Sequence, residues 1–173
     1  ACRDGEAAAQ RSLYHRYHRR LYGVCLRYTS SVADAEDVMQ EGFIKVFNHL
    51  DQYAGNGSLE GWIRQIMVRT AISWHRKRSK MFFVELPEAA PGIELPPEQL
   101  VRLGEQELVG LIQRLPAGYR AVFNLYAVEG FNHREIAALL DISEGTSKSQ
   151  YARARAQLRK LMGGDQEWRV ESG

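Results

Sequence analysis

Of the 173 residues only two are cysteine, Cys2 and Cys25. That is too few for the disulfide framework of a small secreted domain and is consistent with a reducing cytosol. No uninterrupted apolar run approaches the ~20 residues needed to cross a bilayer, and no basic-then-apolar leader pattern opens the chain. The first residue is not Met, so a trimmed N-terminus is expected. Strict apolar–polar alternation never runs long enough to make a sheet strand. Phosphate-binding glycine loops, HExxH and nucleophile motifs are missing, which argues against an enzyme. An excess of one charge is also missing: 23 Lys and Arg against 21 Asp and Glu leave a net charge of +2. A sum that small implies no nucleic acid by itself, so the distribution of charge has to be read.

What is present is 45% hydrophobic and 25% charged, an ordinary globular balance over a length of one to two domains. The charge comes in blocks. Arg11, Arg16, Arg19, Arg20 and Arg27 form a basic run without an acid, and Asp34, Glu36, Asp37 and Glu41 follow without a base. Arg64, Arg69, Arg76, Lys77, Arg78 and Lys80 make a second basic block, and an acidic one begins at Glu85. Lys148, Arg153, Arg155, Arg159 and Lys160 make a third. Segregated basic patches in both halves of the chain favour a polyanion gripped at two places. Four of the five prolines (Pro87, Pro91, Pro96, Pro97) crowd one acidic stretch. Proline blocks helix interiors, so a Pro-rich linker is expected over 81–97, with domains over 1–80 and 98–173. Met81 to Val84 is apolar and offers the linker's start a place to dock.

Both halves read as helical, giving an all-α fold of two small helical domains. Leu13, Tyr17, Leu21, Val24 (or Cys25) and Tyr28 recur at helical spacing, as do Val38, Met39, Gly42, Phe43, Val46, Phe47 and Leu50. Ser31 followed by Asp34 makes an N-cap with an acid at the third position. A third helix follows Gly57-Ser58, with Leu59, Trp62, Ile63, Ile66, Met67, Thr70 and Trp74 on its apolar face. Trp62 is assigned to the core there, while Trp74 stays ambiguous. After the linker one helix is expected over 100–115. The next begins at Pro116, buries Ala121, Val122, Leu125 and Val128, and ends at Gly130. Residues 132–146 then read as a helix-turn-helix corner: Ala137 where the backbones cross, Ile136, Leu140 and Ile142 as anchors, Asp141 at the left-handed turn position. On the second helix Ser147, Tyr151, Ala154, Leu158 and Leu161 face inward. Lys148, Ser149, Ala152, Arg153 and Ala156 face outward, a mix of small residues and long cations that suits the major groove.

Taken together the two halves resemble an extracytoplasmic-function (ECF) sigma factor, a bacterial RNA polymerase specificity subunit. The resemblance rests on Asp34-Ala35-Glu36-Asp37-Val38-Met39-Gln40-Glu41-Gly42-Phe43 and Gly57-Ser58-Leu59-Glu60-Gly61-Trp62-Ile63 in the first half. In the second half it rests on Leu115-Pro116, Glu135-Ile136-Ala137 and Ser143-Glu144-Gly145-Thr146. It implies partners: core RNA polymerase, through the clamp helices of the largest subunit and the beta flap, promoter DNA, and an anti-sigma factor. It implies no cofactor, no metal, no small-molecule substrate and a cytoplasmic location, with the anti-sigma factor able to hold the chain at the inner membrane.

By the same resemblance Asp37, Gln40, Glu41 and Ile44 contact core polymerase, and the family opens the −10 element against the third helix and the loop before it. The residues for that task are Tyr53 for stacking, Asn56 and Ser58 for hydrogen bonds, and Arg64, Arg69, Ser73, Arg76 and Lys77 along the strand. Thr146, Lys148, Ser149, Ala152 and Arg153 are the −35 readers. Arg69 and Ser73 replace the family's usual Asn and Asp, which puts the usual −10 base preference in doubt. Ser147 and Gln150 stand where many members carry Val and Arg, a change expected to shift the sequence read. Two other classes compete: a stand-alone helix-turn-helix repressor, and an enzyme with zinc on His15, His18 and Cys25, whose spacing is loose for that metal.

Overall fold

The computed structural model describes residues 7–78 and 104–171, with side chains described as far as Gly163. The linker expected over 81–97, and the docking of its apolar start, lie outside the described residues. The chain divides into two compact units between Lys80 and Met81.

In the first unit α1 runs from Ala7 to Tyr28, α2 from Val32 to Asn48 and α3 from Leu59 to Arg78. Ser31 starts α2 as the sequence predicts: its Oγ accepts the Asp34 N–H at 3.1 Å from an extended backbone, satisfying one of the free first-turn donors. A short 3-10 turn over Leu50–Gln52 ends the α2 segment. The loop that follows turns on Gly55 and Gly57, both at left-handed φ near +80°, a conformation that a side chain would strain. Each of the three helices packs on the other two. Leu21, Val24, Cys25 and Tyr28 of α1 meet Val38, Met39, Phe43 and Val46 of α2 in the core, while Leu13 and Tyr17 are half-buried.

Helix α3 departs from the expected face. It buries Ile63, Met67, Val68, Thr70, Ala71, Ile72 and Trp74, and leaves Leu59, Trp62 and Ile66 half-buried. Contact with two neighbouring helices widens the buried arc of a helix beyond one stripe and rotates its centre. The ambiguous Trp74 is core, with the Arg78 guanidinium 3.8 Å above its ring, whereas Trp62, expected in the core, stands at the surface edge.

A β-carbon on Gly42 would overlap Met67 Sδ of α3, and Met67 is fully buried. Gly42→Val is therefore expected to destabilise the first unit by roughly 1–3 kcal/mol through overpacking, read as a lower denaturant midpoint. A midpoint equal to wild type would show that the α2–α3 contact gives way freely.

The second unit contains α4 (Glu105–Gln113), α5 (Ala117–Phe123), a π-helical turn over Asn124–Val128, α6 (His133–Leu140) and α7 (Glu144–Glu171). Among the described residues there is no strand, so the all-α expectation holds. Leu111, Ile112, Leu115, Phe123, Ala154 and Leu158 form its core. Arg120 is buried among them. Its Nε donates to Ile112 O at 3.3 Å, and its Nη2 to Gln113 O and Leu115 O at 3.0 and 2.7 Å, so one guanidinium closes the carbonyl end of α4. The expected stripe through Val128 stops at Leu125. The wider winding of the π turn shifts the helical phase and brings Tyr126, Ala127 and Val128 to the surface.

Candidate functional site

The corner between α6 and α7 forms as its sequence predicts. Asn132 and Glu135 make a reciprocal capping box at the start of α6. Asp141 adopts φ 55° and ψ 50°, and Ile142 N–H reaches back to Ala137 O at 3.0 Å, closing the helix in a left-handed cap. Ser143 Oγ accepts the Thr146 N–H at 3.0 Å, which starts α7.

On α7, Lys148 is exposed, and Thr146, Ala152 and Arg153 are half-buried. Ser149 is buried, contrary to the outward position expected of it: its hydroxyl folds back to donate to Thr146 O at 3.1 Å. Ser147 and Gln150, the two departures from the family pattern on this helix, are buried too. Ser147 Oγ lies 2.8 Å from His133 Nδ1 on α6, a contact between the two helices that spacing alone does not reveal.

In the first unit α2 exposes Asp37, Gln40 and Ile44 on one stripe, Ile44 at 60% exposure. Glu41 beside them is half-buried between two cations, with Oε1 3.0 Å from Lys45 Nζ and 3.8 Å from Lys77 Nζ. The expected polymerase-facing stripe and the basic end of α3 are thus neighbours on one surface.

A cleft of about 330 Å³ opens where α2 and α3 meet. Trp62 and Ile66 give it an apolar wall, and Lys45, His49 and Arg69 surround it with basic and imidazole groups, Ser73 beside them. Along α3 the residues Trp62, Ile66, Arg69 and Ser73 follow a 4-3-4 spacing, one continuous face. A core position for Trp62, as the apolar pattern predicts, is incompatible with this face. Lys45 on α2 and His49, which caps it, are the other functional candidates that the sequence left unassigned.

The loop residues Tyr53, Asn56 and Ser58 do not line this cleft. Tyr53 packs its ring 5.6 Å from that of Trp62, and its hydroxyl donates to Gly57 O at 2.8 Å. Tyr53 therefore holds the loop in shape. Ser58 accepts the Gly61 N–H at 3.0 Å and caps α3, while Asn56 is exposed. Arg76 and Lys77 are exposed toward the end of α3, and Arg64 is half-buried and does not line the cleft.

The zinc arrangement does not assemble. Cys25 is in the core with its thiol pushed up to about 12 by burial, and His15 is exposed on α1. Among the described residues no group of three His, Cys, Asp or Glu side chains could hold a metal ion. No helix among them is long and apolar enough to cross a membrane.

Comparison with known proteins settles the family. The family Sigma-70 region 2 matches residues 13–81, and Sigma-70, region 4 matches residues 105–158. The sigma-E factor of Salmonella typhimurium is 31% identical over 163 residues, covering 87% of this chain and 85% of that protein. The chain belongs to the ECF RNA polymerase sigma factors. Another ECF sigma factor, SigE of Mycolicibacterium smegmatis, is 34% identical over 91% of this chain, which spans 64% of that longer relative. Among solved structures, the sigma factor RpoE of Bartonella quintana, in complex with the anti-sigma factor NepR, shares the fold at TM-score 0.55 and 22% identity. That match covers 88% of this chain and 96% of RpoE. The sigma region 2 match takes in α2, α3 and their cleft, and the region 4 match takes in the helix-turn-helix.

Proposed function

We propose that this sigma factor brings core polymerase to promoters through two separate grips. Its first unit holds core polymerase on the Asp37, Gln40, Glu41 and Ile44 stripe, against the clamp helices of the largest subunit. The same unit receives the opened −10 strand in the cleft bounded by Trp62, Arg69 and Ser73. Its second unit reads the −35 duplex with the exposed side of α7, Lys148 foremost, and lies against the beta flap. The observation that carries this reading is the cleft itself: an aromatic and aliphatic wall ringed by basic groups fits an unstacked base with its phosphate. A polymerase-independent repressor leaves that cleft and the adjoining acidic stripe without a task. The chain performs no bond chemistry of its own and works in the cytoplasm beside polymerase. As with RpoE and NepR, an anti-sigma factor is its regulator.

The polymerase stripe predicts its own test. Asp37→Ala with Gln40→Ala is expected to weaken association with core polymerase about tenfold, the scale of one lost interfacial charge contact plus an amide. Binding to labelled core enzyme measures it. Unchanged affinity would remove both residues from the interface.

A further inference from the structure

His133 is the one histidine of the second unit; His15, His18, His49 and His75 all lie in the first. It opens α6 directly after the cap Asn132 and is half-buried. Three residues from two elements fix its ring. Tyr126 of the π turn stacks on it, with centroids 4.5 Å apart and planes within 15°. Tyr151 of α7 stands 5.9 Å from it and 4.5 Å from Tyr126. Ser147, on the first turns of α7, sits 2.8 Å from its Nδ1. The charged groups that act on it are Lys148, Arg155 and Glu144 of α7, with Arg134 and Glu135 next to it in sequence. Burial first, then Lys148, hold the imidazole below its ordinary pKa, with Arg155 adding to Lys148 and Glu144 opposing. In the free chain the neutral ring is favoured, and cationic neighbours leave the site short of negative charge.

We propose that His133 is a phosphate-contacting residue of the −35-reading unit, its imidazole taking up a proton from solvent as duplex DNA seats against Lys148. In a helix-turn-helix the first helix crosses the DNA backbone while the second enters the groove. That docking sets the start of α6 and Lys148 beside the same phosphates. A phosphate there supplies the missing negative charge and favours imidazolium, which donates a charge-assisted hydrogen bond from Nε2 while Nδ1 stays anchored at Ser147. The proton returns to solvent when the duplex leaves. The linkage sign follows: a ligand that raises the His133 pKa binds more tightly as pH falls. This inference rests on the −35 reading proposed above.

The test uses the full chain assembled with core polymerase and a fluorescent duplex carrying a −35 element without a −10 element. Affinity is measured from pH 8 to pH 5.5. Wild type is expected to bind more tightly at the acid end, about tenfold for each unit by which the duplex raises the His133 pKa. His133→Phe keeps the stack and His133→Gln keeps a polar contact to Ser147. Both are expected to lose that part of the pH dependence, so that the ratio of wild-type to variant affinity grows as the pH falls from 8 to 5.5. A merely structural His133 lowers affinity equally at every pH, and that outcome, or identical pH profiles in all three proteins, overturns the proposal. If wild type binds the duplex no better than a scrambled duplex at any pH, the −35 reading itself is wrong and the proposal goes with it.

Discussion

Replacing Lys148 and Arg153 together by Ala is expected to reduce −35-dependent transcription roughly thirtyfold or more, because each lost cation contact to a base or phosphate costs about 1–3 kcal/mol. Lys148 is exposed on the turn of α7 that follows its N-terminus, and Arg153 is half-buried further along the helix. Both belong to a helix whose inward side is already filled by Ser147, Ala154 and Leu158. The loss should come with a shallower salt dependence, by about two in the slope of log affinity against log salt if both contacts are phosphates. Association with core polymerase should be unchanged, because neither residue belongs to the proposed Asp37, Gln40, Glu41 and Ile44 stripe. Run-off transcription and a core-binding assay on the same protein check the two halves of this expectation. Transcription at the wild-type level would take α7 out of promoter reading.

Arg120→Ala is expected to destabilise the second unit by about 3 kcal/mol, the scale of a buried charged donor whose removal strands its acceptors. Ile112 O and Gln113 O at the end of α4 and Leu115 O just after it accept from this guanidinium, and truncation removes those donors from a largely buried site. Arg120→Lys should rescue little, since one ammonium cannot span the positions that the planar fork reaches. Amide hydrogen exchange reads the effect within the unit: α4 and α5 should exchange about a hundredfold faster while α2 and α3 keep their protection. A change below twofold would show that α4 is held by apolar packing alone. Promoter reading should fail with the same variant, because the recognition helix packs on the core that α4 completes.

How far the sequence could be read depended on whether its signals were local. The Ser31 cap, the left-handed Asp141 and the anchors Ile136 and Leu140 are set by neighbours within a few residues, and the structure reproduces each. The exposed Asp37, Gln40 and Ile44 followed from one helical period. Misses came where a second partner decided the outcome. Trp62 left the core because α3 packs on two helices, and Val128 left it because a π turn shifted the phase of its segment. Ser149 turned inward through a bond to its own backbone, a choice that period and polarity do not encode. The cleft was half legible: its α3 face is a regular stripe, whereas Lys45 and His49 join it only through tertiary packing. Arg120 and His133 gave no signal at all, since an arginine capping the preceding helix and a histidine bridging two helices look like any surface residues in a string of letters.

The central claim is that one small chain confers promoter choice on an enzyme that lacks it. Run-off transcription with purified core polymerase over a library of genomic promoter fragments tests this directly. The account predicts discrete start sites that appear only when the chain is added, preceded by a shared −10 element and a shared −35 element. It also predicts that Arg69 and Ser73 variants alter the first element, and Lys148 and Arg153 variants the second. Transcripts with no start-site preference beyond that of core polymerase alone would contradict it.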